Sequence, residues 1–187
     1  MVYYKATMQK LYLVRHGQSE ANAAHIIMGQ HESDLTKLGR EQAKAAGIQA
    51  KQHHFDLIVS SPQRRARQTA DIIAEQIGYD LQKIVLLDNL KERFVGEFEG
   101  KAYDHTTYAT ADGIINEDVP GIEPLEQLQA RAQAALSEIQ NLPAQSVLIV
   151  CHNWIGRMLL LTANDQPVHL FYQMERLANA TLYAITK

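Results

Sequence analysis

Three short apolar runs, each stopping abruptly at polar residues, constrain the fold of this chain more than any other feature. Runs that are apolar throughout, without alternation, are typical of strands buried on both faces of a parallel sheet. The segments between them carry the apolar spacing and the capping residues of helices. Strands that alternate with helices predict an α/β fold, a three-layer α/β/α sandwich around a mostly parallel sheet. The runs are residues 11–14, 57–59 and 146–150.

The first helices are predicted by capping residues that precede segments with helical spacing. Thr36 is the expected N-cap of a helix that continues towards Gln52. The buried positions expected on this helix are Leu38, Ala45, Ala46 and Ile48. Ser61 followed by Pro62 predicts the N-cap and the first position of a second helix, which continues towards Ile77.

The C-terminal half continues the alternation of strands and helices. A helix is expected to open at Pro124, and residues 154–161 are expected to form another. The first of these should bury Leu125, Leu128, Ala132, Ala135, Leu136 and Ile139. Residues 84–87 and 181–185 predict an edge strand and a last strand. Between them, residues 88–121 mix glycine, aromatic and charged residues without periodicity, which predicts an irregular lid within a single domain of residues 1–187.

Composition and charge exclude several classes of function. The formal net charge of −3 gives no basic excess, so neither a nucleic-acid surface nor an anionic-membrane surface is expected. Cys151 is the only cysteine, which excludes an internal disulfide and a thiolate metal cluster. No secretory signal and no apolar stretch long enough to cross a bilayer is found, so a cytoplasmic location is predicted.

Polar residues with a shared chemistry follow the three buried runs. The first run ends at Arg15-His16-Gly17, and the last leads to His152-Asn153. The middle run leads to Ser60-Ser61 and to a helix start that carries Arg64, Arg65 and Arg67, of which Arg65 is expected to face inward. Ligands bind at the carboxyl ends of parallel strands, so these groups are expected to converge. Two histidines, arginines and helix amides are suited to binding a tetrahedral dianion. No residues in the sequence have metal-ligand spacing, and none form a glycine-rich nucleotide loop. No metal and no cofactor is therefore expected.

Four ordered motifs give this chain a family resemblance over nearly its whole length. Leu-Val-Arg-His-Gly-Gln-Ser-Glu-Ala-Asn at residues 13–22 resembles the N-terminal signature of the histidine phosphatase superfamily, the phosphoglycerate-mutase-like proteins. The segments at 34–39, 61–70 and 150–152 resemble the family's first long helix, its arginine motif and its second histidine strand. The resemblance implies phosphoryl transfer from a small phosphorylated metabolite or a phosphoprotein to a histidine, and then to water.

The resemblance also implies roles for individual residues. His16 corresponds to the nucleophile that becomes phosphohistidine. Arg15, Arg65 and His152 correspond to residues that bind the phosphoryl oxygens, and Asn22 to one that forms a hydrogen bond in the same site. Fixed guanidinium groups stabilise the charge that spreads over the equatorial oxygens in the transition state. Nearby arginines also disfavour protonation of His16, which must present a neutral ring nitrogen.

The proton donor to the leaving oxygen and the residue after His152 are less closely specified. In the family, a glutamate shortly before a Gly-acid-aromatic-acid-Gly run serves as the acid, and Glu92 stands at that place before residues 96–100. Glu97 and Glu99 remain alternatives. Asn153 stands where the family usually has glycine, so its side chain is a candidate for direct contact with phosphate.

Three other functions are considered. Cys151 and Arg157 have the spacing of cysteine-dependent phosphatases, although the bulky loop between them disfavours that mechanism. A non-catalytic phosphate-binding module is disfavoured because the catalytic groups are all present. A mutase of the same fold is disfavoured because residues 100–121 are short and carry one cation, Lys101, beside Asp104, Asp112, Glu117 and Asp118. The expected partner is therefore a small phosphorylated substrate, with a homodimer as an open possibility.

Overall fold

A five-stranded sheet lies at the centre of the computed structural model, which describes residues 9–102 and 121–185. Its strands are β1 (Lys10–Arg15), β2 (Leu57–Ser60), β3 (Val85–Leu86), β4 (Ser146–Cys151) and β5 (Leu182–Ile185). Their order across the sheet is β3-β2-β4-β1-β5. β1 to β4 are parallel, and β5 pairs antiparallel with β1. The prediction of a mostly parallel sheet is confirmed.

Five α-helices and four short 3₁₀ helices connect and cover the strands in the described residues. The α-helices are α1 (Glu20–Ala23), α2 (Lys37–Ala50), α3 (Arg64–Ile77), α4 (Leu125–Gln140) and α5 (Asn153–Ala163). The 3₁₀ helices span Leu81–Lys83, Asp88–Leu90, Gly96–Phe98 and Val168–Gln173. No helix among the described residues is long and apolar enough to span a membrane.

Alternating residues of β4 show how the three layers pack. Leu148 and Val150 join the apolar cluster formed with α2 and α3. Val147, Ile149 and Cys151 join the cluster formed with α4 and α5 on the opposite face. All six residues of β4 are buried, because the sheet is covered on both sides. The predicted α/β/α sandwich is therefore confirmed, and β4 lies at its centre.

The predicted buried face of α2 is wrong at three of its four positions. Leu38 and Ile48 are 53% and 59% exposed, and Ala45 is exposed as well. The helix instead buries its smallest residues, which are Gly39, Ala43, Ala46, Gly47 and Ala50. Small residues let α3 approach closely, since a Cβ added at Gly47 would lie 2.6 Å from Cβ of Gln76. On α4, by contrast, the six residues predicted to be buried are the buried ones.

The predicted start of α3 is also wrong. The helix begins at Arg64 with Gln63 as its N-cap, two residues later than Ser61-Pro62 predicted. The Ser61 hydroxyl bonds to His152 and also accepts from the amide of the N-cap residue Gln63, but it reaches no amide within the helix itself. The N-cap predicted for α2 is confirmed, because the Thr36 hydroxyl accepts a hydrogen bond from the Gly39 amide.

The predicted lid is described only at its two ends. Residues 88–102 contain the two 3₁₀ helices Asp88–Leu90 and Gly96–Phe98 and are otherwise irregular. Isolated bridges join Val95 to Ile122 and Ala102 to Ile26. Residues 103–120, with Asp104, Asp112, Glu117 and Asp118, lie outside the described part of the chain.

Candidate active site

The ends of β1, β2 and β4 meet at one edge of the sheet and bring the two predicted histidines together. The sheet pairing continues one residue past the strands, because the His16 amide donates to the Cys151 carbonyl and the Ser61 amide to the Val150 carbonyl, each at 2.9 Å. The rings of His16 and His152 consequently lie with their centroids 5.1 Å apart. Residues separated by 136 positions in the sequence thus share one edge of the sheet.

The ring of His16 is held in its neutral form. Its Nδ1 lies 2.7 Å from the Gly17 carbonyl oxygen, which can only accept, so Nδ1 carries the proton and Nε2 keeps its lone pair. Burial lowers the pKa of His16 well below the ordinary histidine value, and the positive charges of Arg65 and Arg15 lower it further. Asn179 donates from Nδ2 to the His16 carbonyl at 2.7 Å, which fixes the backbone of His16.

Close backbone packing positions the loop that follows His16. The Gly17 amide donates to the Thr69 hydroxyl on α3 at 3.1 Å. A Cβ at Gly17 would lie 2.3 Å from the Gly39 carbonyl oxygen, and one at Gly39 would lie 2.0 Å from the Gln18 carbonyl oxygen. The start of α2 and the loop therefore touch backbone to backbone, which requires glycine on both sides.

His152 is fully buried and bonds to Ser61. The distance from its Nε2 to the Ser61 hydroxyl is 2.8 Å, and the same hydroxyl accepts from the Gln63 amide at 3.3 Å. The arrangement that satisfies these groups has Ser61 donating to Nε2, so that Nδ1 of His152 carries the proton. This Nδ1 has no hydrogen-bond partner among the described residues. It is therefore available to donate to a ligand oxygen.

The two predicted phosphate-binding arginines are buried and anchored by backbone carbonyls. Arg15 donates from one terminal nitrogen to the Leu177 carbonyl at 2.6 Å. Arg65 donates to the Gly29 and His31 carbonyls at 2.8 and 2.7 Å. Carbonyl anchors fix the plane of each guanidinium without neutralising its charge, which suits recognition of an anion.

Glu92 lies beside His152 and caps the N-terminus of α5. Its carboxylate accepts from the amides of Asn153, Trp154 and Ile155 at 3.0 to 3.2 Å, and from the Arg93 amide at 3.0 Å. A carboxylate at this position is favoured by the free amides and the dipole of the helix. Glu92 therefore lies at the same end of β4 as the histidines.

The two alternative acids are placed elsewhere. Glu97 is exposed. The Glu99 carboxylate is 5% exposed, accepts from the Gln30 amide at 2.7 Å and lies 3.3 Å from Nε2 of His31. Glu99 therefore supports the loop whose carbonyls anchor Arg65. Of the three glutamates, only Glu92 has a described contact with the helix that follows His152.

The two asparagines predicted in the site have other partners in this structure. Asn22 forms a capping box with Ser19, in which Oδ1 accepts from the Ser19 amide at 3.2 Å, and no contact with His16 is described. Asn153 accepts from the Leu177 amide through Oδ1 at 3.0 Å. Its buried Nδ2 has no partner within the described ranges, so it remains a candidate donor to phosphate.

The cysteine-dependent alternative does not fit the geometry. Cys151 points into the apolar cluster under α4 and α5, and burial raises the pKa of its thiol. Arg157 donates to the carbonyls of Phe171 and Met174 and stacks 4.5 Å from the Phe171 ring centroid, so it anchors another segment. A nucleophilic thiolate would need an exposed, electropositive setting.

Sequence reasoning missed three supporting residues. Ser61 was predicted as a helix cap and instead holds His152. Gln63 accepts from the Glu92 amide at 2.7 Å and donates to the Gly29 carbonyl at 3.2 Å, so it joins two loops of the site. Asn179, on the segment before β5, holds the backbone of His16. The only signal in the sequence was the polar Gln63 where the family motif usually has an apolar residue.

The fold and the site define a class of protein that carries two histidines and two buried arginines at the carboxyl edge of a parallel sheet. The family model described as histidine phosphatase superfamily (branch 1) matches residues 11–186. The chain belongs to this superfamily. The predicted function, phosphomonoester hydrolysis of the histidine phosphatase type, is confirmed at the level of the family.

Individual relatives agree with this assignment. A protein of Hydrogenobacter thermophilus, whose name suggests a phosphoserine phosphatase, is 37% identical over 152 residues, covering 78% of this chain and 73% of the relative. A protein of Photorhabdus laumondii, whose name suggests a phosphoglycerate mutase, is 35% identical over 183 residues, covering 94% and 83%. The structure of a mycobacterial glucosyl-3-phosphoglycerate phosphatase with VO3 superposes with a TM-score of 0.80 at 26% identity, covering 94% and 92%.

Proposed function

We propose that this protein is a metal-independent phosphatase that hydrolyses small phosphomonoesters through a phosphohistidine at His16. The observation that carries the proposal is the neutral, proton-fixed His16 ring within the electrostatic reach of two buried, carbonyl-anchored arginines. A neutral imidazole is nucleophilic, and two fixed guanidinium groups attract the dianion on which it acts.

The first half-reaction transfers the phosphoryl group to the enzyme. Nε2 of His16 attacks phosphorus as the bond to the leaving oxygen breaks. Arg15, Arg65 and Nδ1–H of His152 bind the equatorial oxygens, where the transition-state charge is concentrated. When the substrate dianion binds beside it, Glu92 takes up a proton and then gives it to the leaving oxygen, so that an alcohol departs and a carboxylate remains.

The second half-reaction returns the enzyme to its starting state. The Glu92 carboxylate takes a proton from water as the water oxygen attacks phosphorus. The bond from phosphorus to Nε2 breaks, its electron pair returns to the His16 ring, and inorganic phosphate leaves. Each half-reaction conserves protons, and arginine supplies the electrostatic stabilisation that a metal ion would otherwise give.

Hydrolysis is proposed over mutase activity, although several relatives bear a mutase name. A mutase must keep water from the phosphoenzyme and grip a second acidic group. The acidic sequence of the lid segment 100–121 favours hydrolysis, because it offers little to grip a second acidic group. The structure describes only residues 100–102 and 121 of this segment. The relatives named for phosphoserine and glucosyl-3-phosphoglycerate suggest small phosphorylated metabolites as the first substrates to test.

The test combines trapping with steady-state kinetics in buffer containing EDTA. Purified protein should release inorganic phosphate from at least one phosphomonoester in a metabolite panel, and acid-labile phosphate should appear on the protein after rapid quenching. His16→Ala should lose both signals, while Cys151→Ser should keep most of the activity. The reverse pattern would assign the reaction to the cysteine.

Two further outcomes test the other parts of the proposal. Activity that is lost with EDTA and restored by Mg²⁺ or Zn²⁺ would contradict metal independence. Efficient 3- to 2-phosphoglycerate interconversion with little phosphate release would favour the mutase.

A further inference from the structure

One arginine on α4 forms hydrogen bonds to the backbone of the loop that carries Glu92. Arg131 donates from one terminal nitrogen to the Asn89 and Lys91 carbonyls at 3.0 and 2.7 Å. Its other terminal nitrogen reaches the Glu92 carbonyl at 3.4 Å. The guanidinium therefore fixes the backbone on the N-terminal side of Glu92, and its planar fork serves several carbonyls at once.

Glu123 holds the loop backbone on the C-terminal side of Glu92. Its carboxylate forms a two-pronged ion pair with Arg131, at 2.7 and 2.8 Å, and both side chains are largely buried. The same carboxylate accepts from the Phe94 amide at 3.2 Å, and the Glu123 carbonyl accepts from Nε of Arg93 at 2.7 Å. The Glu123 amide donates to the Phe94 carbonyl at 2.9 Å. Residues 89–94 are thus bound to this one ion pair on both sides of the proposed acid.

We propose that Glu123 and Arg131 are positioning residues that hold Glu92 at the distance and angle needed to protonate the leaving oxygen. This inference rests on the proposed function, in which Glu92 is the acid. Neither residue has a described hydrogen bond or ion pair with His16, Arg15, Arg65 or His152, although the positive charge of Arg131 contributes to lowering the pKa of His152. The ion pair acts through the loop backbone, and it leaves the nucleophile and the phosphate-binding arginines in place.

This role has a consequence that an ordinary structural ion pair lacks. A misplaced acid slows only those reactions whose leaving group needs a proton in the transition state. Alkyl phosphates have poor leaving groups and should be strongly affected. p-Nitrophenyl phosphate releases a stable phenolate and should be affected little. Loss of the ion pair should therefore change the dependence of rate on leaving-group pKa, beyond any change in the amount of folded enzyme.

The experiment compares kcat for an alkyl phosphate substrate and for p-nitrophenyl phosphate in Arg131→Met and Glu123→Gln. We expect each variant to lose at least about tenfold more activity on the alkyl phosphate than on p-nitrophenyl phosphate, as part of the roughly 10²- to 10⁴-fold effect typical of an acid catalyst. Glu123→Gln removes one charge but keeps a side chain of nearly the same size. It therefore keeps the test valid if Arg131→Met folds poorly.

A matched control is Arg67→Met. Arg67 also pairs with a carboxylate, that of Asp71, and donates to a backbone carbonyl, that of Leu81, but it holds residues away from Glu92. Its loss should change both substrates equally. Equal losses on both substrates in Arg131→Met and Glu123→Gln would overturn the positioning role and leave only a structural one.

A double variant separates this inference from the proposed function. In Glu92→Gln the acid is already absent, so adding Arg131→Met should cost the alkyl phosphate little further activity. Additive losses would contradict positioning through Glu92. If Glu92→Gln itself affects both substrates equally, the acid assignment in the proposed function fails, whatever the Arg131 variant does.

Discussion

At the scale of single residues, the site depends on hydrogen bonds that fix which ring nitrogen carries a proton. The Gly17 carbonyl fixes the proton on Nδ1 of His16, and the Ser61 hydroxyl fixes it on Nδ1 of His152. The first ring then presents a lone pair and the second presents a donor. Two histidines of similar burial are thus suited to different proposed roles, nucleophile and phosphate ligand, because their partners differ.

This interpretation predicts the effect of Ser61→Ala. Without the hydroxyl, Nε2 of His152 is left buried and unpaired, a cost of about 1–3 kcal/mol that favours rotation of the ring or the other tautomer. We expect kcat/KM to fall about 10- to 100-fold. Ser60→Ala is the matched control, since Ser60 is equally buried but donates to the Ser61 carbonyl. Steady-state kinetics check the pair, and similar losses in both variants would show that Ser61 acts only through folding.

At the scale of secondary-structure elements, two glycines of α2 determine how closely this helix approaches its neighbours. α2 contacts α3 through Gly47 in its last turn and contacts the loop after His16 through Gly39 at its start. The two contacts differ in what an added methyl group would meet. At Gly47 it meets the side chain of Gln76, whereas at Gly39 it meets the backbone of Gln18.

Gly39→Ala and Gly47→Ala should therefore have different effects. Gly39→Ala pushes against a backbone carbonyl next to the nucleophile loop, so we expect a fall in kcat of about tenfold or more together with reduced stability. Gly47→Ala forces α3 or the Gln76 side chain to move, with a cost of about 1–3 kcal/mol in unfolding free energy and little loss of kcat in the folded enzyme. Denaturant unfolding and kinetics on both variants test this, and unchanged kcat in Gly39→Ala would refute the link between α2 and the nucleophile.

At the scale of the whole molecule, the buried histidines link the stability of the fold to pH. Burial, followed by the charges of Arg65 and other groups, lowers the pKa of both His16 and His152 well below about 6.5. Above that pH both rings are neutral in the folded and the unfolded chain, so neither contributes a pH dependence. Below it the unfolded chain binds a proton at each ring and the folded chain does not.

The free energy of unfolding should therefore fall as pH decreases below about 6.5, until the lowered pKa values of the folded state are reached. The slope has an upper limit of about 1.4 kcal/mol per pH unit for each histidine. Urea unfolding between pH 5 and 8 measures it. His152→Asn should reduce the slope, whereas His169→Asn, at an exposed position, should not. An unchanged slope in His152→Asn would contradict this linkage.

The sequence by itself determined the sheet, the order of the elements and the residues at the strand ends. Short, wholly apolar runs can be stable only between two covering layers, so they predicted β1, β2 and β4 with small errors in their bounds. The histidines and arginines follow those strands directly in the sequence, and that local relation placed them at one edge of the sheet. The six buried residues of α4 were likewise specified, because apolar side chains at helical spacing leave one face to bury.

The tertiary structure alone decided which polar groups became partners. Ser61 caps a helix in the local pattern, but a bond to a histidine 91 positions away in the chain takes its hydroxyl. α2 buries glycine and alanine and leaves Leu38 and Ile48 exposed, because close contact with α3 outweighs the hydrophobicity of single residues. The anchoring of Glu92 by Glu123 and Arg131 has no local signal either. Hydrogen bonds between distant segments depend on how the chain packs, and residue spacing carries no record of that packing.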